Sequence, residues 1–265
     1  PNALISVHAQ EHAASLLSML AIDGDHNEHL IKSIPALVAV LSLGRSVVMK
    51  HHAAAALARL AGFNSQIAFM ISKAGVMKPL VEWLCSGDNA QDTSPKAQGC
   101  DESDEQFRME FQDGISLRVV AATALSDLVR GNSEMRWSAT EDGAVQPLVD
   151  MLKPGTGSDA QKVACIALAT LGESSEDIQA TISHAGACPL LVNLLRASLL
   201  CEHAAHTIAE LSKSANNKLQ FAQAKAVPPL VALLSSGNPA TQQSAAKALG
   251  RLTTDCTPNQ ATFAQ

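Results

Sequence analysis

The phrase "AGVMKPLVEWL" (74–84) returns as "DGAVQPLVDML" (142–152), "AGACPLLVNLL" (185–195) and "AKAVPPLVALL" (224–234), with a weaker copy, "IKSIPALVAVL", at 31–41. Its Leu-Val pair falls at 37, 80, 148, 191 and 230, in steps of 43, 68, 43 and 39 residues. A second phrase follows each copy: "HHAAAALARLA" (51–61), "VVAATALSDLV" (119–129), "KVACIALATLG" (162–172), "EHAAHTIAELS" (202–212) and "QSAAKALGRLT" (243–253). Both series lengthen at the same unit, so one repeat there carries an insertion. Self-similarity at a fixed period of this size is the mark of a stacked repeat architecture.

The apolar spacing says what each repeat contains. Leu80, Val81 and Leu84 lie at i, i+1 and i+4, a stripe on a short helix. Ala54, Leu57 and Leu60 mark one buried face of a longer helix. Breakers such as "KPGTGSD" (153–159) separate the two, and "GESSED" (172–177) follows the longer one. A further apolar segment, "QIAFMISKAG" (66–75) or "IQATISHAG" (178–186), opens the unit. Three helices per repeat are therefore predicted, none able to bury its face without a neighbour.

On this reading the whole chain is one array. It comprises a partial repeat at 1–22, repeats at 23–62, 63–131, 132–172, 173–212 and 213–253, and the start of another at 254–265. The insertion occupies about 86–114, inside the second full repeat. Both ends fall within a repeat, so the chain reads as a window onto a longer array.

Bulk properties agree with close helix packing. Of 265 residues, 47% are hydrophobic but only 3% aromatic, with no tyrosine, so Ala, Leu and Val must fill the core. The net charge is −6, and the insertion alone holds eight acids against two bases, leaving a neutral body. Such a balance offers no footprint for a phosphate backbone, so no nucleic-acid partner is expected. No apolar run reaches the ~18 residues of a membrane span. The six cysteines lack any C-x-x-C pair and read as free thiols. That places the chain in a reducing intracellular compartment, the cytoplasm first and the nucleus as the alternative.

The paired phrases resemble armadillo repeats, whose units read A-G-x-[IV]-x-x-L-V-x-L-L followed by A-A-x-A-L-x-N-L. The resemblance covers nearly the whole chain outside the insertion. It implies an all-α fold, a right-handed superhelical solenoid whose third helices line a groove. It also implies that importin-α-like members carry an Asn ladder there, with a Trp four residues before each Asn. The Asn positions here are Met19, Arg59, Asp127, Thr170, Glu210 and Arg251; the Trp positions are Ser15, Ala55, Thr123, Ile166, His206 and Lys247. None matches. An amide both donates to and accepts from a peptide backbone, which Arg, Glu and Thr cannot reproduce along a ladder.

The expected function is a non-catalytic scaffold or adaptor. It would bind a protein or an extended peptide as part of a multi-subunit complex, with no cofactor, no metal and no catalytic residue. Alternatives are a nuclear-transport type of cargo receptor, and the targeting half of a larger enzyme such as a ubiquitin ligase. The candidate groove contacts are Arg59, Asp127, Lys162, Glu202, His206, Glu210, Lys247 and Arg251, a surface of mixed sign that suits a partner of matching charge pattern. Phe107, Met109 and Phe111, at the end of the insertion, are candidates for contact with a partner or with a neighbouring helix.

Three stretches imitate sites. "DGDHNEH" (23–29) opens like a calcium loop but has Glu28 and Ile34 where that loop needs Gly and Glu. "KPGTGSD" lacks the spacing of a phosphate cradle and reads as a turn. "CEHAAHTIAEL" (201–211) gathers Cys201, His203 and His206, yet these do not share one face of a helix. Instead Glu202, His206 and Glu210 stand four apart as one rung. An imidazole between two carboxylates is expected to have a raised pKa.

Overall fold

A computed structural model describes residues 32–43, 47–63, 65–85, 116–197, 199–236 and 238–264. The expectations for the insertion, for Phe107, Met109 and Phe111, and for residues 1–31 fall outside these residues. The described residues contain fifteen helices and no strand. They divide into two compact units, one ending at Asp142 and the other beginning at Gly143.

The first unit holds α1 (Ile34–Leu43), α2 (Val47–Phe63), α3 (Ser65–Lys73), α4 (Met77–Cys85), α5 (Leu117–Val129) and α6 (Ser133–Glu141). The helices α3, α4 and α5 form one repeat in the expected order, while α1 and α2 are the second and third helices of the repeat before it. The third helices α2 and α5 pack together, and α4 packs against α5. Leu57, Leu80 and Leu125, the repeated apolar positions, are fully buried. On the first-helix side, Lys73 of α3 reaches Glu134 of α6 at 3.6 Å.

The second unit holds α7 (Val145–Met151), α8 (Ser158–Leu171), α9 (Glu176–His184), α10 (Ala187–Leu194), α11 (Cys201–Leu211), α12 (Ala215–Gln223), α13 (Val227–Ser236), α14 (Pro239–Thr253) and α15 (Thr257–Phe263). Here the layers are explicit. The third helices α8, α11 and α14 pack side by side, and the first helices α9, α12 and α15 do the same. Each second helix packs on the third helix of its own repeat.

Local chemistry places the joints. A glycine before three of the second helices turns the chain through a left-handed residue, with φ of 77° at Gly75 and 89° at Gly143 and Gly186. That conformation costs a Cβ-bearing residue free energy that glycine avoids. The 224–234 copy puts Lys225 there, at φ 58°. Side-chain caps start other helices: Asn132 accepts from the Met135 amide at 3.0 Å and Asn238 from Thr241 at 2.8 Å. The "KPGTGSD" joint is a turn, in which Thr156 Oγ1 donates to the Met151 carbonyl at 2.6 Å and Gln161 Nε2 to that of Lys153 at 3.0 Å.

Buried amides tie one repeat to the next. Gln179 Nε2 donates to the Gly172 carbonyl (2.7 Å), closing the end of α8, and its Oε1 accepts from the Ser214 amide (3.0 Å). Asn217 Nδ2 donates both to Leu211 O and to Gln179 O, each at 3.0 Å. Asn259 repeats the pattern to Leu252 O and Lys218 O, again at 3.0 Å. All three side chains are buried. Each satisfies a carbonyl left over at the C-terminal turn of a third helix, where no helical partner is available.

The second helices also mark where one repeat covers another. Val192 and Leu195 are each 3% exposed, whereas Val231 and Leu234, one repeat later, are 39% and 36% exposed. No described helix is long and apolar enough to cross a membrane.

Candidate functional site

Of the predicted rung residues, the structure gathers His206, Glu210, Lys247 and Arg251 on adjoining third helices, α11 and α14. Glu210 Oε1 accepts from Lys247 Nζ at 2.7 Å and lies 3.0 Å from Arg251 Nη1; its Oε2 lies 2.8 Å from Lys213 Nζ. Arg251 Nη1 also donates to the Ala209 carbonyl at 2.6 Å. The guanidinium is thus fixed by backbone and carboxylate together, a geometry suited to its planar fork. A similar tie binds α11 to α8, where Thr207 Oγ1 donates to Cys165 O at 3.0 Å.

Exposure divides the cluster by sign. The Glu210 side chain is 11% exposed, while those of Lys213, Lys247 and Arg251 are 33%, 43% and 30% exposed. The anion is covered by its own cations, and the surface they present is positive. Burial opposes the charge on Glu210, but hydrogen bonds from Lys213, Lys247 and Arg251 outweigh it and pull its pKa down to about 2.

The expectation for His206 is corrected by this arrangement. Its pKa is lowered, first by loss of hydration, with Lys247, Arg251 and His203 adding to the effect and Glu210 alone opposing it. The carboxylate meant to favour the imidazolium is engaged by three cations, two of which also repel a charged imidazole. His203 is lowered as well, by burial and then by Lys162, against the pull of Glu202. Cys201 is buried beside Thr241, with Sγ and Oγ1 3.9 Å apart, whereas His206 is exposed. Among the described residues, no three or more His, Cys, Asp or Glu side chains are placed to hold a metal ion.

The remaining candidates stand elsewhere. Lys162 is exposed on α8 and Glu202 half-buried at the start of α11. In the first unit Arg59 is exposed on α2, and Asp127 on α5 lies 3.4 Å from Arg130 in an open pair. Trp83 lies outside the third-helix layer, as its sequence position implied; it is 5% exposed on α4, with Lys50 Nζ 4.8 Å from its ring centre. Lys213 was missed from sequence. It sits in the turn after α11, beyond the repeated phrase, and its one signal was the i, i+3 spacing from Glu210.

Residues 214–254 match the family model for the armadillo/beta-catenin-like repeat. No curated protein sequence matches the chain. Solved structures do. A designed armadillo repeat protein superposes with a TM-score of 0.71 at 25% identity, over 92% of this chain and 93% of its own. Another, designed for modular peptide recognition, gives 0.69 at 26% identity, over 91% and 92%. A third, in complex with the peptide (KR)4, gives 0.72 at 24% identity over the same shares. Fold, phrase and helix order agree: the chain is an all-α solenoid of the armadillo-repeat type, in which residues 214–254 match the family model.

Proposed function

We propose that the chain is a non-catalytic scaffold whose third-helix face binds an extended segment of another protein. One observation carries the reading. The layer α8–α11–α14 presents polar side chains preset by contacts between repeats, notably Arg251 on Ala209 O and Lys247 on Glu210. A surface fixed before binding loses little conformational entropy when a peptide arrives. That designed armadillo proteins recognise peptides supports the reading at the level of the fold. Membership of a larger assembly and a reducing, cytoplasmic setting belong to the same proposal. The described cysteines are all free thiols, and burial pushes Cys165 up to about 12, which keeps it protonated and inert.

Site-specific photo-crosslinking tests it. A crosslinking residue at Gln243, exposed on the third helix α14, should capture a partner protein, and one at Asn216, exposed on the first helix α12, should not. Equal capture from both positions, or capture from Asn216 alone, overturns the reading.

A further inference from the structure

We propose that the Lys213–Lys247–Arg251 cluster is a receptor for an acidic side chain of an extended peptide, so that the partner segment is acidic where it crosses α11 and α14. This rests on the third-helix face being the binding face. The charge pattern carries it: three cations surround one carboxylate, and the carboxylate is the part hidden from solvent. Neutralising Glu210 consumes one positive charge, leaving the cluster with a surplus of two on its exposed side.

Donor capacity points the same way. An ammonium has three N–H donors and a guanidinium five. Lys247 and Lys213 each spend one on Glu210, and Arg251 places Nη1 between Glu210 and the Ala209 carbonyl. The three cations stay partly exposed around this preset frame, and a second carboxylate would complete their charge-assisted bonds. Glu210 therefore acts as a positioning residue: it holds three long side chains that would otherwise repel one another. The cluster is local, and the chain as a whole carries −6, so a phosphate polymer finds no continuing basic track here. A single carboxylate in a peptide does not need one. Burial, together with Lys247, Arg251 and His203, lowers the pKa of His206 and so disfavours a further charge there.

The test is fluorescence anisotropy of the full chain with three labelled peptides, alternating Ser with Glu, Gln or Lys. The Glu peptide should bind roughly tenfold more tightly than the Gln peptide, as one charge-assisted contact implies, and the advantage should shrink as salt rises. The variant K213Q/K247Q leaves Glu210 paired with Arg251, so helicity should be unchanged while the advantage of the Glu peptide disappears. Crosslinking from Gln243 reports whether each peptide lies on the third-helix face. If the Gln or Lys peptide binds there as well as or better than the Glu peptide, the acidic-peptide inference is overturned and the groove reading stands. If the Glu preference survives K213Q/K247Q, the cluster is not its source and the inference fails. Preferential binding of single-stranded DNA at Gln243 overturns it too. If no peptide crosslinks at Gln243 while crosslinks form elsewhere, the groove reading itself falls.

Discussion

Glu210 has a folded pKa of about 2 against an ordinary 4.5. A depressed carboxylate contributes stability that is fully present above its unfolded value and is lost as pH falls through the folded one. The chain should therefore lose part of its stability between about pH 4.5 and 2 on account of this residue. E210Q should cost about 1–3 kcal/mol at neutral pH, the worth of charged hydrogen bonds. Urea midpoints measured against pH should show the two proteins diverging above pH ~5 and converging towards pH ~2, the window set by that depressed pKa. Lys225 offers a test of the opposite sign. It holds a left-handed φ of 58° where three sister repeats have glycine, so K225G should stabilise by about 0.5–1 kcal/mol in the same assay. His206 shows where reading residue by residue stops. Its place on the rung was legible from the four-residue spacing, but the sign of its shift was not. That sign is set first by burial and then by Lys247 and Arg251, which lie on a different helix.

Between elements, buried side-chain amides tie the joint from a third helix to the next first helix. Asn217 serves two carbonyls at once, Leu211 O at the end of α11 and Gln179 O on α9. N217A would leave the Leu211 carbonyl buried without this donor and take the second donor from Gln179 O, at about 1–3 kcal/mol for the orphaned carbonyl. A denaturation midpoint lowered by less than a surface control such as N216A would show that water replaces the side chain without loss. Nothing in the repeat phrase singles out Asn217, because the matching task in the preceding repeat is done by Gln179 from a neighbouring position with a longer side chain. The second helices provide a paired comparison. L195A removes a side chain that is 3% exposed and should cost about 2–4 kcal/mol, the range for a buried Leu with its cavity. L234A removes its counterpart, 36% exposed, and should cost less than half as much. Equal losses would mean that burial does not distinguish the two repeats.

Across the molecule, the fold was legible because the same apolar phrases recur with one period. Each copy of Leu-Val or of Ala-Leu then testifies to the same buried position, and Leu57, Leu80, Leu125, Leu168 and Leu230 are all fully buried. The site was legible as a set of positions but not as a set of bonds. Glu210 meets Lys247 across 37 residues and Arg251 meets Ala209 across 42, and spacing alone does not say which rung neighbours lean together. The same architecture dictates how disturbance travels. In a repeat array stability is a sum of repeat terms and nearest-neighbour interfaces, so a lesion weakens its own repeat and the adjoining ones first. Leu195 caps the C-terminus of α10, which packs on α11 and α12. Amide exchange should therefore accelerate most in α9 to α12, less in α13 and α14, and least in α1 to α4. Hydrogen exchange read by mass spectrometry on the whole chain resolves these segments directly. Uniform acceleration from α1 to α14 would mean that the chain opens as one cooperative body, and that its repeats do not carry separable stabilities.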